Sequence, residues 1–269
     1  MISLAEARYG LASSRLRVPL VWLRHRGIRS NDAFIVSYPR SGNTWLRLLL
    51  CEILTGEAAG FEIINRTIPD IGLHSHAQRL LPNGGRLIKS HEPFRDEYKK
   101  AVFLARDVRD VVVSEYYYLM MKQVYRGDLS GFVRQFARNK TNPFCGWADH
   151  ADSWLDAQEH GRVELIRIKY EELLCDTEQQ LARILTFLGF SPDRAAIMRA
   201  VENNSVGKVQ KKEDAARETV FRNHRPDIRF VRKGKSGGWR DELEPADVRL
   251  IQDVMGETLA RLGYSPADR

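Results

Sequence analysis

The chain has 269 residues, 43% of them hydrophobic and 29% charged, which is ordinary for a soluble globular protein that buries a sizeable core. That length allows one large α/β domain or two small ones. The formal net charge of +7 indicates an anionic partner, such as a nucleotide, a nucleic acid or an acidic membrane surface. Because the sequence contains neither a long basic tail nor recognition-helix or zinc-finger spacing, a nucleic-acid partner is not expected.

The three cysteines, Cys51, Cys145 and Cys175, form no Cys-x-x-Cys pair and no even disulfide framework. Each lies in apolar or helix-patterned sequence, so we expect buried thiols in a reducing compartment. The apolar run near the amino terminus, residues 18–23, is too short to cross a bilayer and lacks a small-residue cleavage site. These features predict a cytoplasmic protein.

Residues 1–31 are rich in arginine and partly helix-patterned, and we interpret them as a basic arm on a single domain that spans residues 32–269. No repeat, low-complexity tract or clear linker divides that domain. The basic side chains could hold the arm against a membrane surface and bring a glycolipid within reach. Peripheral membrane contact is therefore a hypothesis for this segment.

Short apolar runs alternate along the chain with stretches of helical periodicity. Strands are predicted over residues 33–37, 86–89, 101–104 and 163–169, and helices over residues 43–55, 108–125, 147–160, 178–188, 193–203 and 245–262. This alternation predicts an α/β fold with a central parallel sheet and helices on both faces. In such a sheet ligands bind at the carboxyl ends of the strands, where Arg40, His91 and Arg106 fall. Residues 205–240 are too polar to form core, and we expect a mobile closing segment there.

The first predicted strand leads through Tyr38-Pro39-Arg40-Ser41-Gly42-Asn43-Thr44-Trp45 directly into a helix. Such a loop presents free backbone N–H groups and a positive helix end to an anion. Arg40 adds a guanidinium, and Ser41 and Thr44 add hydroxyl donors. The nucleoside triphosphate loop differs, because there the second glycine is followed by Lys and a hydroxyl residue. Taken alone, the segment fits an ordinary turn capped by Asn43 or Thr44 equally well.

Three further motifs follow this loop in order: Leu-Ile-Lys-Ser-His at residues 87–91, the run of residues 103–114 that begins Phe-Leu-Ala-Arg-Asp, and the Arg-Lys-Gly run at residues 232–240. Residues 168–173, Ile-Lys-Tyr-Glu-Glu-Leu, lie between the last two. This ordered set resembles the motifs of the sulfotransferases, which use 3′-phosphoadenosine 5′-phosphosulfate (PAPS). The resemblance runs from about residue 34 to residue 243 and implies the phosphate-loop sulfotransferase fold.

The resemblance also implies roles for individual residues. His91 would be the general base, and Lys89 and Arg40 would stabilise the sulfuryl group and the leaving phosphate. The 5′-phosphosulfate loop would comprise Arg40, Ser41, Gly42, Asn43 and Thr44. The 3′-phosphate would be held by Arg106, Ser114, Arg232, Lys233 and Gly234, and the adenine side by Trp45, Tyr170 and Ser205. No metal site is expected, because the scheme requires none and the sequence offers no convincing ligand spacing.

Three positions depart from the better-known cytosolic members. Arg40 stands where lysine is usual, so this side chain would stabilise the leaving phosphate without protonating it. Val206 stands where a phenylalanine commonly packs on adenine, and valine cannot stack. The Lys-x-x-x-Thr-Val-x-x-x-Glu dimer motif is not matched by residues 240–245, which leaves the oligomeric state open.

We therefore expect an enzyme that transfers a sulfuryl group from PAPS to a hydroxyl of a small-molecule, glycoside or lipid-linked acceptor, with PAP and a sulfate ester as products. Residues 61–82, 116–147 and 203–229 are expected to line the acceptor side. Two alternatives remain: a phosphate-loop small-molecule kinase that uses Mg-ATP, and a non-enzymatic basic module that binds nucleic acid or a membrane.

Overall fold

The computed structural model describes residues 17–265. Within that range the strands are β1 (Ala33–Val36), β2 (Leu87–Ser90), β3 (Lys100–Ala105) and β4 (Glu164–Lys169). They form one parallel sheet in the order β2-β1-β3-β4, with Val36 beside both Ser90 and Phe103. The carboxyl ends of β1, β2 and β3 therefore meet at one edge of the sheet. The prediction of a single α/β domain with a central parallel sheet is confirmed.

Helices cover both faces of this sheet. They are α1 (Arg17–His25), α2 (Asn43–Thr55), α3 (Phe61–Thr67), α4 (Val108–Met121), α5 (Leu129–Ala137), α6 (Trp147–Glu159), α7 (Tyr170–Cys175), α8 (Thr177–Phe187), α9 (Arg194–Asn203), α10 (Val206–Ala215) and α11 (Pro245–Arg261).

Alternation along β1 explains why the sheet has two hydrophobic cores. Phe34 and Val36 point into one cluster, with side chains of α4, α5, α6 and α11. Ala33 and Ile35 point to the opposite face, with side chains of α2, α3, α8 and α9. All four residues are completely buried, as expected for a central parallel strand that helices cover on both sides.

The helix predicted over residues 108–125 ends earlier, at Met121. Gln123 takes a left-handed backbone conformation with φ 60°, and the backbone N–H groups of Val124 and Tyr125 both bond to the Leu119 carbonyl. This turn ends the helix although its apolar pattern continues.

The apolar periodicity of the sequence did not predict four of these helices: α3, α5, α7 and α10. Helix α10 lies in the segment judged too polar to form core, and for part of that segment the prediction was wrong. Val209, Ala216 and Phe221 are buried in the cluster on the α2 side of the sheet. A few apolar residues, spaced one or two helical turns apart, are enough to attach a mostly polar segment to a large core.

The prediction of three buried thiols is correct for Cys51 only. Cys145 is half-buried and Cys175 is exposed. Cys175 is the last residue of the short helix α7, whose buried face is formed by Tyr170 and Leu173. None of the helices found between residues 17 and 265 is both long and apolar enough to cross a membrane.

Candidate active site

A cavity of about 1010 Å³ opens at the carboxyl ends of β1, β2 and β3. The loop between β1 and α2, the end of β2, the start of α4 and residues 230–235 all contribute to its lining. The predicted site residues that line it are Arg40, Gly42, Asn43, Thr44, Trp45, Lys89, His91, Arg106, Ser114, Tyr170, Arg232, Lys233 and Gly234. Ser41 and Ser205 are not part of the lining; Ser41 is buried beneath the loop, and Ser205 is an exposed residue preceding α10.

The loop between β1 and α2 is held in a tight conformation. Arg40 and Gly42 both have left-handed backbone angles, with φ 68° and 97°. At Gly42 a Cβ atom would lie 2.5 Å from Cδ2 of Tyr170, so both the backbone angle and the available space require glycine. Helix α2 then starts at Asn43, with its first N–H groups at the edge of the cavity. The geometry is that of an anion-binding loop.

The guanidinium of Arg40 is enclosed by two aromatic rings. Its Cζ lies 4.6 Å from the ring centre of Tyr118 and 4.4 Å from that of Phe230. Nε donates to Ser114 Oγ over 3.2 Å, and Nη2 donates to the Phe230 carbonyl over 3.0 Å. Burial lowers the pKa of Arg40 to about 10, so the side chain stays charged at neutral pH. Arg40 therefore provides a fixed positive charge at the centre of the cavity.

His91 lies one residue past the end of β2, and its ring is oriented by the backbone. Nδ1 lies 2.7 Å from the carbonyl oxygen of Ser37. Because a carbonyl can only accept, Nδ1 carries the proton and Nε2 keeps a free lone pair. Burial, together with the charge of Lys89, lowers the pKa of His91 to about 3. The imidazole is therefore neutral at pH 7 and able to accept a proton at Nε2.

Lys89 is paired with a carboxylate that the sequence analysis did not single out. Its Nζ donates to Asp70 Oδ2 over 2.9 Å. Burial opposes the negative charge on Asp70, but the ammonium of Lys89 brings the pKa of this carboxyl below its usual value. Asp70 is also the only residue of the predicted acceptor segment 61–82 that lines the cavity. The first part of that segment forms α3, and its side chains Phe61 and Ile64 are buried in the core and do not line the cavity.

Arg106, just after β3, connects two parts of the site. Nη1 donates to the backbone carbonyl of Arg40 and Nη2 to that of Lys235, both over 3.1 Å. Its Cζ lies 4.4 Å from the ring centre of Tyr170. The nearest carboxylate, Asp110, is 4.0 Å away. Asp110 also accepts hydrogen bonds from the backbone N–H groups of Gly237 and Trp239, which fixes the end of the basic run.

The basic run itself is anchored by a second carboxylate. Lys233 Nζ donates to Glu242 Oε1 over 2.8 Å, and Arg232 Nη1 lies 3.4 Å from the same oxygen. Gly234 has φ 58°, and a Cβ there would lie 2.4 Å from Cγ2 of Val206. The residue that replaces the expected phenylalanine thus packs against this glycine. The adenine-side candidates Trp45 and Tyr170 lie together, with ring centres 6.0 Å apart, and Trp45 Nε1 donates to the Asn204 carbonyl.

Glu115 is a further residue of this site that the sequence analysis missed. It is buried, lines the cavity and accepts a hydrogen bond from Asn142, which also contacts the Tyr38 hydroxyl. Burial raises the pKa of Glu115 to about 7. Asp110 and Ser114 could be found from the sequence, because Arg106, Asp110 and Ser114 follow one another at a spacing of four residues, which is one helical turn. Glu115 follows Ser114 directly and has no such signal.

The charge of the cavity suits a ligand with several phosphate or sulfate groups. Among the described residues, eight lysine or arginine side chains and four carboxylates contribute to the lining. The guanidinium N–H groups of Arg40 and Arg106 mostly meet neutral carbonyl oxygens, so much of their charge is available to an anion. The volume is large enough for a nucleotide and a small acceptor side by side. Over residues 17–265 no group of three or more His, Cys, Asp or Glu residues is arranged to hold a metal ion.

Comparison with known proteins agrees with this geometry. The sequence model of a family described as Sulfotransferase domain matches residues 30–263. Sulfotransferase 2B1 of Rattus norvegicus is 30% identical over 261 residues, which cover 90% of this chain and 75% of the rat protein. Sulfotransferase 1E1 of Cavia porcellus is 27% identical over 260 residues, covering 86% of each chain. Neither the kinase nor the non-enzymatic alternative finds support here.

Two solved structures show the same fold. Retinol dehydratase in a complex with retinol and PAP superposes with a TM-score of 0.72 at 21% identity, over 91% of this chain and 86% of that one. Mouse sulfotransferase SULT7A1 complexed with PAP gives a TM-score of 0.67 at 22% identity, over 90% of both chains. With the family match covering most of its length, the chain belongs to the sulfotransferase family and is a PAPS-dependent enzyme.

Proposed function

We propose that this enzyme sulfates a hydroxyl group of a small-molecule or lipid-linked acceptor in the cytoplasm, using the residues that meet at the carboxyl edge of the sheet. The observation that supports this most directly is the convergence of Arg40, Lys89, His91 and Arg106 on one cavity. A base without a proton at neutral pH lies in the same cavity as several fixed cations, which is what sulfuryl transfer between two oxygens needs.

In this proposal His91 Nε2 takes the proton of the acceptor hydroxyl. A bond forms between the acceptor oxygen and sulfur, while the bond from sulfur to the 5′-phosphate oxygen breaks, so that the products are a sulfate ester and PAP. The imidazolium that forms is stabilised by the Ser37 carbonyl, which already accepts from Nδ1. Arg40 stabilises the leaving phosphate and Lys89 the charge on the sulfuryl oxygens, much as cations do in phosphoryl transfer.

The donor is held, in this proposal, by the two ends of the cavity. The loop of Arg40 to Thr44 and the start of α2 bind the 5′-phosphosulfate, and Arg106 with Ser114 and the basic run binds the 3′-phosphate. Trp45 and Tyr170 flank the adenine. Ser205 is not expected to take part, because its exposed side chain lies outside the cavity.

Apolar and aromatic side chains favour a largely apolar alcohol as acceptor. The ring of Phe144 lies against His91, with the ring centres 5.6 Å apart. Tyr118 and Leu119 also line the cavity. Retinol dehydratase, which has this fold, has been solved in complexes with retinol and with androsterone. Those ligands belong to that protein, and they support an acceptor of similar polarity for this one.

The test starts with thermal unfolding in the presence of PAP, ADP and AMP, each with and without EDTA. We expect PAP to raise the melting temperature well above the other two, with no effect of EDTA. Transfer of ³⁵S from labelled PAPS to a panel of apolar alcohols then tests the reaction. A shift that ADP matches, or transfer that EDTA abolishes, would contradict the proposal.

A further inference from the structure

Large apolar side chains are exposed around helix α1. Leu20, Trp22 and Leu23 are 52%, 61% and 55% exposed. Leu73, which directly precedes a 3₁₀ turn at His74–His76, is 70% exposed. Leu73 lies near the helix because Arg24 packs on the preceding Gly72, where a Cβ would lie 2.9 Å from Arg24 Cγ. We call Leu20, Trp22, Leu23 and Leu73 the α1 patch. Large apolar side chains exposed together on one helix are a feature of interaction sites.

The helix is anchored in the domain by its polar side chains. Buried His25 joins its Nε2 to the Tyr98 hydroxyl over 2.6 Å. Arg24 donates from both Nε and Nη2 to the Ile71 carbonyl. The side chains of Arg24 and His25 thus face the domain, whereas Leu20, Trp22 and Leu23 face outward. The anchoring at its carboxyl end presents the apolar face in a fixed orientation.

The exposed charged side chains of α1 and of the turn that follows it are basic. Arg26 and Arg29 are exposed, and Arg26 Cζ lies 5.5 Å from the ring centre of Trp22. No acidic residue occurs in the sequence between positions 17 and 31, and the next one, Asp32, is buried in an ion pair with Arg86. Segments that lie at the interface of anionic membranes have this composition, with tryptophan and leucine next to arginine.

The patch is also close to the catalytic edge of the sheet. Arg24 Nη2 lies 3.7 Å from Asp70 Oδ1, and Asp70 Oδ2 accepts a hydrogen bond from Lys89. A surface that docks through α1 would therefore lie near the end of β2, where His91 and Lys89 enter the cavity.

We propose that the α1 patch and its flanking arginines dock this enzyme onto an anionic lipid bilayer. The apolar side chains enter the interfacial region and Arg26 and Arg29 contact the lipid phosphates. The docking does not depend on the reaction proposed above, because it uses residues outside the cavity.

Co-sedimentation of the full chain with vesicles tests this proposal. The vesicles are phosphatidylcholine alone or phosphatidylcholine with phosphatidylglycerol, at low and high salt. The variant W22S/L23S removes apolar area from the patch, and R26E/R29E reverses the charge beside it. All four side chains are exposed, so we expect both variants to fold. M198S/R199E on α9 is the matched control, since Met198 is 54% exposed and Arg199 is exposed beside it.

We expect the wild type and the control to bind anionic vesicles equally, and each patch variant to bind at least about tenfold more weakly. High salt and the removal of phosphatidylglycerol should weaken the wild type similarly. A wild type that stays in the supernatant overturns the proposal, whatever covers the patch. So does a wild-type dimer, seen by light scattering, that W22S/L23S dissociates without changing vesicle binding. PAP-induced stabilisation in every variant separates a failure of docking from a failure of the proposed activity.

Discussion

Arg106 donates a hydrogen bond from Nη1 to the backbone carbonyl of Arg40 over 3.1 Å, which joins two loops that are 66 positions apart in the sequence. The second terminal nitrogen, Nη2, donates to the carbonyl of Lys235. One guanidinium thus connects the loop after β1, the end of β3 and the basic run. Since both acceptors are neutral, a phosphate group could replace a carbonyl as a stronger partner without any loss of an ion pair.

Replacement of Arg106 by alanine should weaken PAP much more than AMP, because only PAP carries the 3′-phosphate. Loss of one hydrogen bond to a charged group, about 1.5–3 kcal/mol, lowers PAP affinity roughly tenfold to 150-fold. Isothermal titration calorimetry measures both affinities. Arg199→Ala, at an exposed position on α9, is the control. Equal losses for PAP and AMP would contradict the assignment of Arg106 to the 3′-phosphate.

Replacement of His91 by glutamine should lower kcat by at least about a hundredfold and leave PAP affinity within about twofold, because in the proposed mechanism the side chain takes the proton of the acceptor. The pH profile provides a second readout. With a pKa of about 3, caused by burial and by Lys89, the imidazole stays neutral from pH 5 to pH 8. In a Glu115→Gln background, which removes the cavity carboxyl with a pKa of about 7, the rate should therefore show no titration near pH 6.5. Turnover close to normal in His91→Gln would remove this residue as the base.

Arg40→Lys and Arg40→Ala distinguish the charge of this side chain from its shape. Lysine keeps a cation near the leaving phosphate, but it loses the planar contact with the rings of Tyr118 and Phe230. We expect kcat of Arg40→Lys to stay within about tenfold of the wild type, and that of Arg40→Ala to fall about 100–1000-fold. If both variants were equally impaired in single-turnover assays, the charge alone could not explain the role of Arg40.

Glu115→Gln should make the stability of the protein less dependent on pH. Burial raises the pKa of this carboxyl from 4.5 to about 7 in the folded protein. Its favourable contribution is therefore complete below pH 4.5 and is lost as the pH rises through 7. Glutamine can still accept the bond from Asn142 and never ionises. As the pH rises from 5 to 8, the free energy of unfolding of the variant, measured with urea, should increase by about 1–3 kcal/mol relative to that of the wild type. A pH-independent difference would contradict the raised pKa.

The buried ion pair of Asp32 and Arg86 should be the costliest to break. Arg86 Nη2 lies 2.5 Å from Asp32 Oδ2, with both side chains at most 3% exposed. Arg86→Met leaves a buried carboxylate without its partner and should lower the free energy of unfolding by about 3–5 kcal/mol. Lys100→Met, which breaks the exposed pair with Glu164, should cost less than about 1 kcal/mol. Urea unfolding at pH 7 compares Arg86→Met with Lys100→Met. A similar decrease in the free energy of unfolding for both variants would show that burial does not determine the cost of breaking an ion pair.

The elements that carry the site could be predicted from sequence because their signals are local. An apolar run, a loop with Arg40, Ser41 and Gly42 and a helical pattern occupy consecutive positions, and helix α2 begins and ends where the pattern predicts, at Asn43 and Thr55. The parallel order of strands follows from the same alternation, because a helix-length crossover returns the chain to the same edge of the sheet. This brings His91 and Arg106 to the edge where Arg40 lies.

The partners of these side chains depend on tertiary packing. Asp70 reaches Lys89, and Glu242 reaches Lys233, across segments whose sequence separation gives no period to detect. Two tyrosines of α4 that are two positions apart also have different surroundings: Tyr118 lies against Arg40, whereas Tyr116 packs with Tyr125. A sequence records which side chains share a turn or a strand face, but the docking of distant helices decides which charges and rings finally meet. That is why the amino-acid sequence alone indicated the cations and the proposed base, while the folded chain decided which groups hold them.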